Sequence, residues 1–363
     1  MKRFLASFLR ILLALNFIFS GAVKLIDPVG TQFKMEEYFQ VLHLDFLVPY
    51  ALPFAVLLIT LEWTLGWWLL FKYRYGLTLK LLTVLVLFFL FLTGYSAVTG
   101  KVTDCGCFGD AVKMTPRETF WKNVIYLGML AWLWWDLKKN PLEKRAGTIR
   151  WLAYVFPVVA LLFAVWTVRH LPVLDFRPYA VGKNIRESME IPPGAKPYKF
   201  KEIWYYRVNG EVRKFSTEDE PWNIPGAEFV KRETIEIQKG YDPPVHDFII
   251  EGDWGDITDK VLDEPSVYLL LITRPEDLTD ADYKRLMQVI QQLKEKKARY
   301  YLITPEIPPK LERWSRAVDT PLNIMDKTTL KTMLRAKAGV MYLEKATVKG
   351  KWTLKDFLKK HGE

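Results

Sequence analysis

Two cysteines are the only thiols in this 363-residue chain, and one residue separates them: Asp104-Cys105-Gly106-Cys107-Phe108-Gly109-Asp110. A dithiol exchanges electrons by thiolate attack through a mixed disulfide, and a bridge across one residue closes a small, strained ring that is easily reduced. Gly106 helps, because it accepts backbone angles other residues avoid. Asp104 and Asp110 work the other way, since close carboxylates raise a thiol pKa and so disfavour an acidic nucleophile. Three readings stay open: a redox pair, Cys105 with Cys107; a plain Cys105–Cys107 bridge that stiffens the loop; and a soft-metal site. The last lacks any Cys-X-X-Cys or paired-His spacing to supply the other ligands, so no metal site is expected.

Two ionisable residues, Arg10 and Glu62, interrupt long apolar runs. Such groups are costly in hydrocarbon unless paired or facing a wet interior. With the first two spans antiparallel, both fall at similar depth, which predicts an intramembrane polar pair of Arg10 with Glu62. That pair would either fix helix register or line a proton or substrate path. The stretch Phe33 to Leu42 has helical spacing and reads as an interfacial helix. His43 follows it, either as a surface or packing residue or as a neighbour of the cysteine loop. His246-Asp247 is an adjacent pair whose side chains would leave a strand on opposite faces, so it is no dyad.

These residues have to be positioned by apolar spans. The chain is 50% apolar, and its 14 Trp and 22 Phe are unevenly spread, most of them in its first half. Five stretches reach bilayer-crossing length or approach it: Phe4 to Val23, Tyr50 to Phe71, Leu79 to Ala97, Phe120 to Trp135, the shortest, and Trp151 to Val168. Trp67, Trp68, Trp121, Trp134, Trp135 and Trp151 mark ends as interfacial anchors. Up to position 170 there are 18 basic against 10 acidic residues, and beyond it 33 against 31. The basic excess therefore sits beside the spans as a topogenic signal, and nucleic acid is not an expected partner.

Lys2, Arg3, Lys72, Arg74, Lys80, Lys138, Lys139, Lys144, Arg145 and Arg150 fall on one side of the spans, which predicts that side to be cytoplasmic. Lys24, Lys34, Lys101, Lys113 and Arg117 fall on the other. An odd number of spans then places the cysteine loop and the C-terminal half outside, in the oxidising compartment. A cleavable signal peptide is the alternative for the N-terminus, and Arg10 inside its apolar run argues against it.

After the Leu171 to Pro178 linker, Glu202 to Val208 and Glu211 to Ser216 flank Asn209-Gly210 and predict a β-hairpin, followed by a strand from Glu228 to Gln238. Beyond Pro243-Pro244 the expected order is strand Val267 to Thr273, helix Asp280 to Lys297, strand Ala298 to Thr304, helix Pro309 to Val318, strand Leu322 to Met325 and helix Lys327 to Arg335. Strands Gly339 to Glu344 and Thr347 to Trp352 and a last helix from Thr353 complete it. The chain thus divides into a bundle over 1–140, a cytoplasmic loop and fifth span over 141–170, a linker and β-rich extension over 171–245, and an α/β domain over 246–363.

Arg10, Phe17, Ser20-Gly21, Lys24 and Asp27, then Glu62 and Gly66, resemble the signature of the DoxX-like membrane family, and Cys105-Gly106-Cys107-Phe108-Gly109 before a further span resembles its MauE (methylamine-utilisation) variant. The resemblance covers roughly the first 140 residues. It implies an α-helical membrane bundle of four or five transmembrane helices in the cytoplasmic (inner) membrane that supports envelope redox work: disulfide formation, protein maturation or cofactor assembly. The last 120 residues resemble, by element order, a thioredoxin-like domain of the peroxiredoxin and TlpA type. Here the loop Arg274 to Thr279, where that family places its catalytic cysteines, has none, and Ala338 stands where its cis-proline would precede a strand. A degenerate domain of this kind would bind a partner or pack over the bundle.

Carried over, Cys105 and Cys107 are the candidate redox residues of a thiol-disulfide oxidoreductase, and Arg10 and Glu62 the intramembrane pair. Expected partners are the lipid bilayer and an envelope protein client. No cofactor is evident; a quinone would suit a membrane dithiol, though no residue pattern marks a site for one. The alternative function is a noncatalytic scaffold or assembly subunit whose cysteines form a structural bridge.

Overall fold

The computed structural model describes residues 2–102, 106, 108–112, 114–140, 150–238 and 240–361. Cys105 and Cys107 lie outside the described residues, as do Asp104 and the 141–149 loop.

Five long helices and one shorter one build the N-terminal bundle: α1 (Lys2–Ile26), α2 (Pro28–Val41), α3 (Ala51–Leu70), α4 (Tyr75–Thr99), α5 (Pro116–Lys139) and α6 (Arg150–Arg169). Among the described residues three helical stretches, Phe4–Ile26, Asp45–Leu70 and Tyr75–Thr99, are long and apolar enough to cross a membrane. The chain is a membrane protein on this evidence. α5 has the length but carries Arg117, Glu118, Lys122, Asp136, Lys138 and Lys139, and α6 adds a shorter apolar run, Tyr154–Arg169.

α1 and α3 cross closely because glycine faces backbone at two points. A Cβ on Gly21 would meet Trp63 Cα at 2.9 Å, and one on Gly66 would meet the Ile18 nitrogen at 2.8 Å. Small residues at such crossings let helices approach where lipid offers no hydrophobic drive. Leu13, Ala14, Phe17, Leu65, Leu69, Leu79, Leu82, Val86, Leu130 and Leu133 fill the core shared by α1, α3, α4 and α5. Phe4, Leu57, Phe91 and Leu162 face outward, as lipid-facing side chains would. A reciprocal capping box opens α5: Glu118 Oε2 accepts from the Thr115 amide at 2.8 Å, and Thr115 Oγ1 from the Glu118 amide at 3.3 Å.

The chain forms two compact units, one comprising residues 1–183 with 249–363, the other Asn184–Phe248. In the smaller, the short helix α7 (Ile185–Met189) precedes a three-stranded antiparallel sheet of β1 (Lys199–Val208), β2 (Glu211–Ser216) and β3 (Glu228–Gln238), in order β2-β1-β3. The expected hairpin is present. Val208 pairs with Glu211, and Asn209 and Gly210 take φ of 53° and 83°, as a two-residue turn of this twist requires.

The larger unit continues through β4 (Glu251–Gly252), β5 (Gly255–Asp256), α8 (Thr258–Leu262), β6 (Val267–Ile272), α9 (Asp280–Glu295), β7 (Tyr300–Thr304), α10 (Pro309–Ala317), β8 (Leu322–Ile324), α11 (Lys327–Met333), β9 (Ala338–Glu344), β10 (Thr347–Thr353) and α12 (Leu354–His361). Its sheet runs β10-β9-β6-β7-β8-β4-β5. β6, β7 and β8 are parallel, and β9 is antiparallel to β6. β6 is buried apart from the half-buried Tyr268, as befits a central strand covered on both faces. The segment after α6 joins this sheet domain: the Gly182 amide donates to Val348 O at 2.7 Å and the Val348 amide to Lys183 O at 2.9 Å.

Candidate functional site

The described residues that border the cysteines start from a helix end on one side and are held by packing on the other. α4 stops at Gly100, which takes the left-handed φ of 65° that a helix-ending turn favours. Further on, Phe108 bridges to Val112 and packs at a tilt against Phe19 of α1, ring centroids 5.7 Å apart, while the Lys122 ammonium of α5 lies 4.2 Å from the same ring. Gly106 (φ 58°) sits against Lys34 of α2, and Gly109 (φ 54°) against Val23 of α1. A Cβ at either position would have to be accommodated both in a left-handed backbone and in a tight contact. The residues flanking Cys107, Gly106 and Phe108, therefore pack on α2 and α1.

The loop is also tied to the sheet domain. Arg335, buried between α11 and β9, donates from Nη2 to Asp110 Oδ2 at 2.7 Å, from Nε to Asp27 Oδ2 at 2.7 Å and from Nη1 to Lys331 O at 2.7 Å. Asp27 also caps α2, accepting from the Gly30 amide at 2.9 Å. The two carboxylates hold the guanidinium pKa above its usual value against the desolvation that would lower it. Beside this contact Glu36 of α2 accepts from Lys331 at 3.2 Å and lies 3.7 Å from Arg274. Phe33 lies within 4.9, 4.4 and 5.2 Å of Arg274, Lys331 and Arg335. Three cations of one domain thus meet three carboxylates and one aromatic face of the other, a geometry in which cation–π and charge-assisted hydrogen bonds both act.

A second polar cluster lies within the bundle. The Lys24 ammonium of α1 donates to Glu62 Oε2 of α3 at 2.7 Å and to Ser20 Oγ at 3.2 Å, and both members of the ion pair are buried. They line a recess of about 300 Å³, counting its open mouth, together with Asn16, Asn123, Tyr126 and Phe108 of the cysteine loop.

The expected pairing of Arg10 with Glu62 is corrected here. Arg10 Nη1 instead donates to the carbonyls of Leu69, at 3.2 Å, and Leu70, at the end of α3 where carbonyls lack helical partners. The register set by the two glycine contacts explains the exchange. It brings Lys24 beside Glu62 and leaves Arg10 beside the last turn of α3. Lys24 was read as a loop charge and as one position of the resemblance, not as the partner of Glu62; the missed signal was Ser20-Gly21 one turn before it, the small pair that brings α3 close. His43 occupies the left-handed turn that ends α2, with φ of 58°. His246 pairs with Asp242 at 3.1 Å.

A third buried network anchors the segment after α6. Asp175 accepts from Arg177 Nε at 2.7 Å and from Lys351, and Arg177 and Lys351 donate to the Thr332 and Met333 carbonyls at 2.8 and 3.0 Å. The end of α11 therefore receives Arg335, Arg177 and Lys351 on three successive carbonyls, a favourable place for cations.

Residues 2–136 match the family described as Methylamine utilisation protein MauE. The match covers α1 to α4, the segment with the cysteines and most of α5. Protein TlpB of Flavobacterium psychrophilum is 31% identical over 137 residues, which are 36% of this chain and 37% of that protein. The chain thus matches little more than a third of the length of that curated relative. No solved structure matches the chain.

Proposed function

We propose that this chain is a multi-pass protein of the cytoplasmic membrane that supports extracytoplasmic thiol–disulfide chemistry or protein maturation through Cys105 and Cys107. The observation that carries this reading is the fastening of the loop: its described residues pack on α1 and α2, and Asp110 is held by a buried arginine of the sheet domain. A flexible connector between two spans needs no such support. The match of residues 2–136 to the MauE family supports the membrane setting. The orientation follows from the loop charges, with α5 and α6 as the fourth and fifth crossings.

In this reading the sheet domain is a thioredoxin-like domain without its own thiols. Its parallel β6-β7-β8 core, with β9 antiparallel beside β6, is consistent with that description. The segment Arg274 to Thr279 has no cysteine, so the domain serves client recognition and leaves exchange to the loop. A noncatalytic scaffold with a Cys105–Cys107 bridge is favoured by the same buried ion pairs, because they also suit a purely structural tie.

Trapping separates the two. With Cys107→Ser, a client should accumulate as a mixed disulfide on Cys105, resolved on non-reducing gels and released by reductant. A scaffold instead tolerates loss of both cysteines and traps nothing.

A further inference from the structure

We propose that the strap leaving α6, residues 171–178, lies in the lipid interface of the outer leaflet, where Val173, Leu174 and Phe176 enter the bilayer and hold the sheet domain against the membrane surface. This deepens the function proposed above and rests on its reading of α6 as the fifth crossing.

The strap is patterned the wrong way round for a segment in water. Val173, Leu174 and Phe176 are 59%, 55% and 49% exposed, while the side chains of Asp175 and Arg177 among them are only 12% and 4% exposed. In water the charges would face out and the large apolar groups in, because a charge leaves its hydration only at high cost. Here the protein takes the charges inward and pairs them. Arg177 Nε donates to one oxygen of Asp175 at 2.7 Å, and Lys351 of β10 donates to the other. A segment that turns its ions to the protein and its apolar side chains outward suits a hydrocarbon boundary, as an interfacial segment does.

The height of the strap is set from both sides. α6 ends at Arg169, so Val173 lies four residues on, at most about 14 Å of extended chain. Trp166, in the last turn of α6, is exposed in the manner of an interfacial anchor, and Leu162 and Val165 lead up to it along the outward side of the same helix. At the other side Arg177 Nη1 donates to the Thr332 carbonyl at 2.8 Å, at the end of α11. Arg335 joins the neighbouring Lys331 carbonyl to Asp27, the residue that follows α1. The strap is thereby held beside the end of α1, where that span leaves the bilayer. His170, 3.1 Å from Asp356 of α12, seats the sheet domain on the end of α6 as well. Pro172 and Pro178 restrict the backbone of the strap, which lowers the entropy lost in ordering it.

Spin labels on single cysteines test the placement, in the full chain carrying Cys105→Ser and Cys107→Ser and reconstituted in phosphatidylcholine vesicles. Leu174→Cys and Phe176→Cys are compared with Leu162→Cys on α6 and with Trp254→Cys, whose native side chain is 99% exposed on the sheet domain. Accessibility to dissolved oxygen relative to a water-soluble nickel chelate should be several-fold higher at the two strap positions than at Trp254→Cys, and close to that at Leu162→Cys. Leu174 replaced by 4-benzoylphenylalanine, with both native cysteines kept, should cross-link phospholipid on irradiation and supplies the test should the cysteine-free chain not fold. Water-like values on the strap beside a lipid-like Leu162→Cys would overturn the placement alone. Poor access for both reagents on the strap, with cross-links to protein, would overturn it in favour of a client's surface. Water-like values at Leu162→Cys would overturn the fifth crossing itself, and the strap with it.

Discussion

Lys24 and Glu62 show how a single side chain decides the internal order of the bundle. Each is buried, so removing one partner strands a buried charge without its counter-ion, at a cost of about 3–5 kcal/mol. Lys24→Met should lower stability by that order in detergent unfolding, and Lys24→Met with Glu62→Leu should recover most of it. A stable single variant would show that the pair does not hold α1 to α3.

Lys351 gives a second residue-scale expectation, outside the spans. Burial, reinforced by Arg177 and Arg335, pushes its ammonium down to about 8, while Asp175 stays below its ordinary range because Arg177 and Lys351 outweigh the burial that opposes them. This one site then holds fewer protons in the folded protein than in the unfolded chain between about pH 8 and 10.5, so its own contribution to stability rises with pH across that window. Lys351→Met should remove that contribution and make the slope of unfolding free energy against pH less positive there. Asp175 contributes in the opposite sense: its stabilisation is present above the ordinary carboxylate value of 3.8 and is lost as pH falls through its lowered folded value.

At the scale of elements, the α1–α3 crossing depends on two glycines. Gly66→Ala would place a Cβ 2.8 Å from the Ile18 nitrogen, so helix separation must grow at a cost of about 1–3 kcal/mol. Gly128→Ala in α5 meets nothing within 4 Å and should be neutral or stabilising by up to about 1 kcal/mol. Chemical unfolding of the two variants side by side checks the contrast.

Element boundaries were legible for local reasons. Asn209-Gly210 fixes its hairpin, the apolar run of β6 is unmistakable, and Thr279, which opens α9 with Asp282 in a reciprocal cap, marks a helix start. The register of α1 on α3 was not legible, because it depends on small residues meeting across a bundle rather than on periodicity within either helix. The Arg10–Glu62 expectation failed there: depth alone matched the two charges, while the crossing offered Glu62 a nearer cation and gave Arg10 the Leu69 and Leu70 carbonyls at the end of α3.

On the scale of the whole molecule, the two regions read from composition, an apolar bundle and a charged α/β domain, meet through a few buried charges. Arg335 and Asp110 are 225 positions apart. Nothing in the local sequence of either announces the other, and so the support beneath the cysteine loop was hidden even though the loop itself was conspicuous. The absence of thiols from the segment after β6 takes on meaning from this arrangement. The domain has no cysteine to offer, and one of its cations, Arg335, reaches Asp110 three residues beyond Cys107.

The proposed function requires Cys105 and Cys107 to form a redox-active pair on the outer side of the membrane. Labelling intact cells with a membrane-impermeant maleimide, with and without prior reductant, tests it most directly. Both thiols should become reactive from outside only after reduction. Two free thiols, reachable only from the cytoplasm, would contradict the orientation and the redox function together.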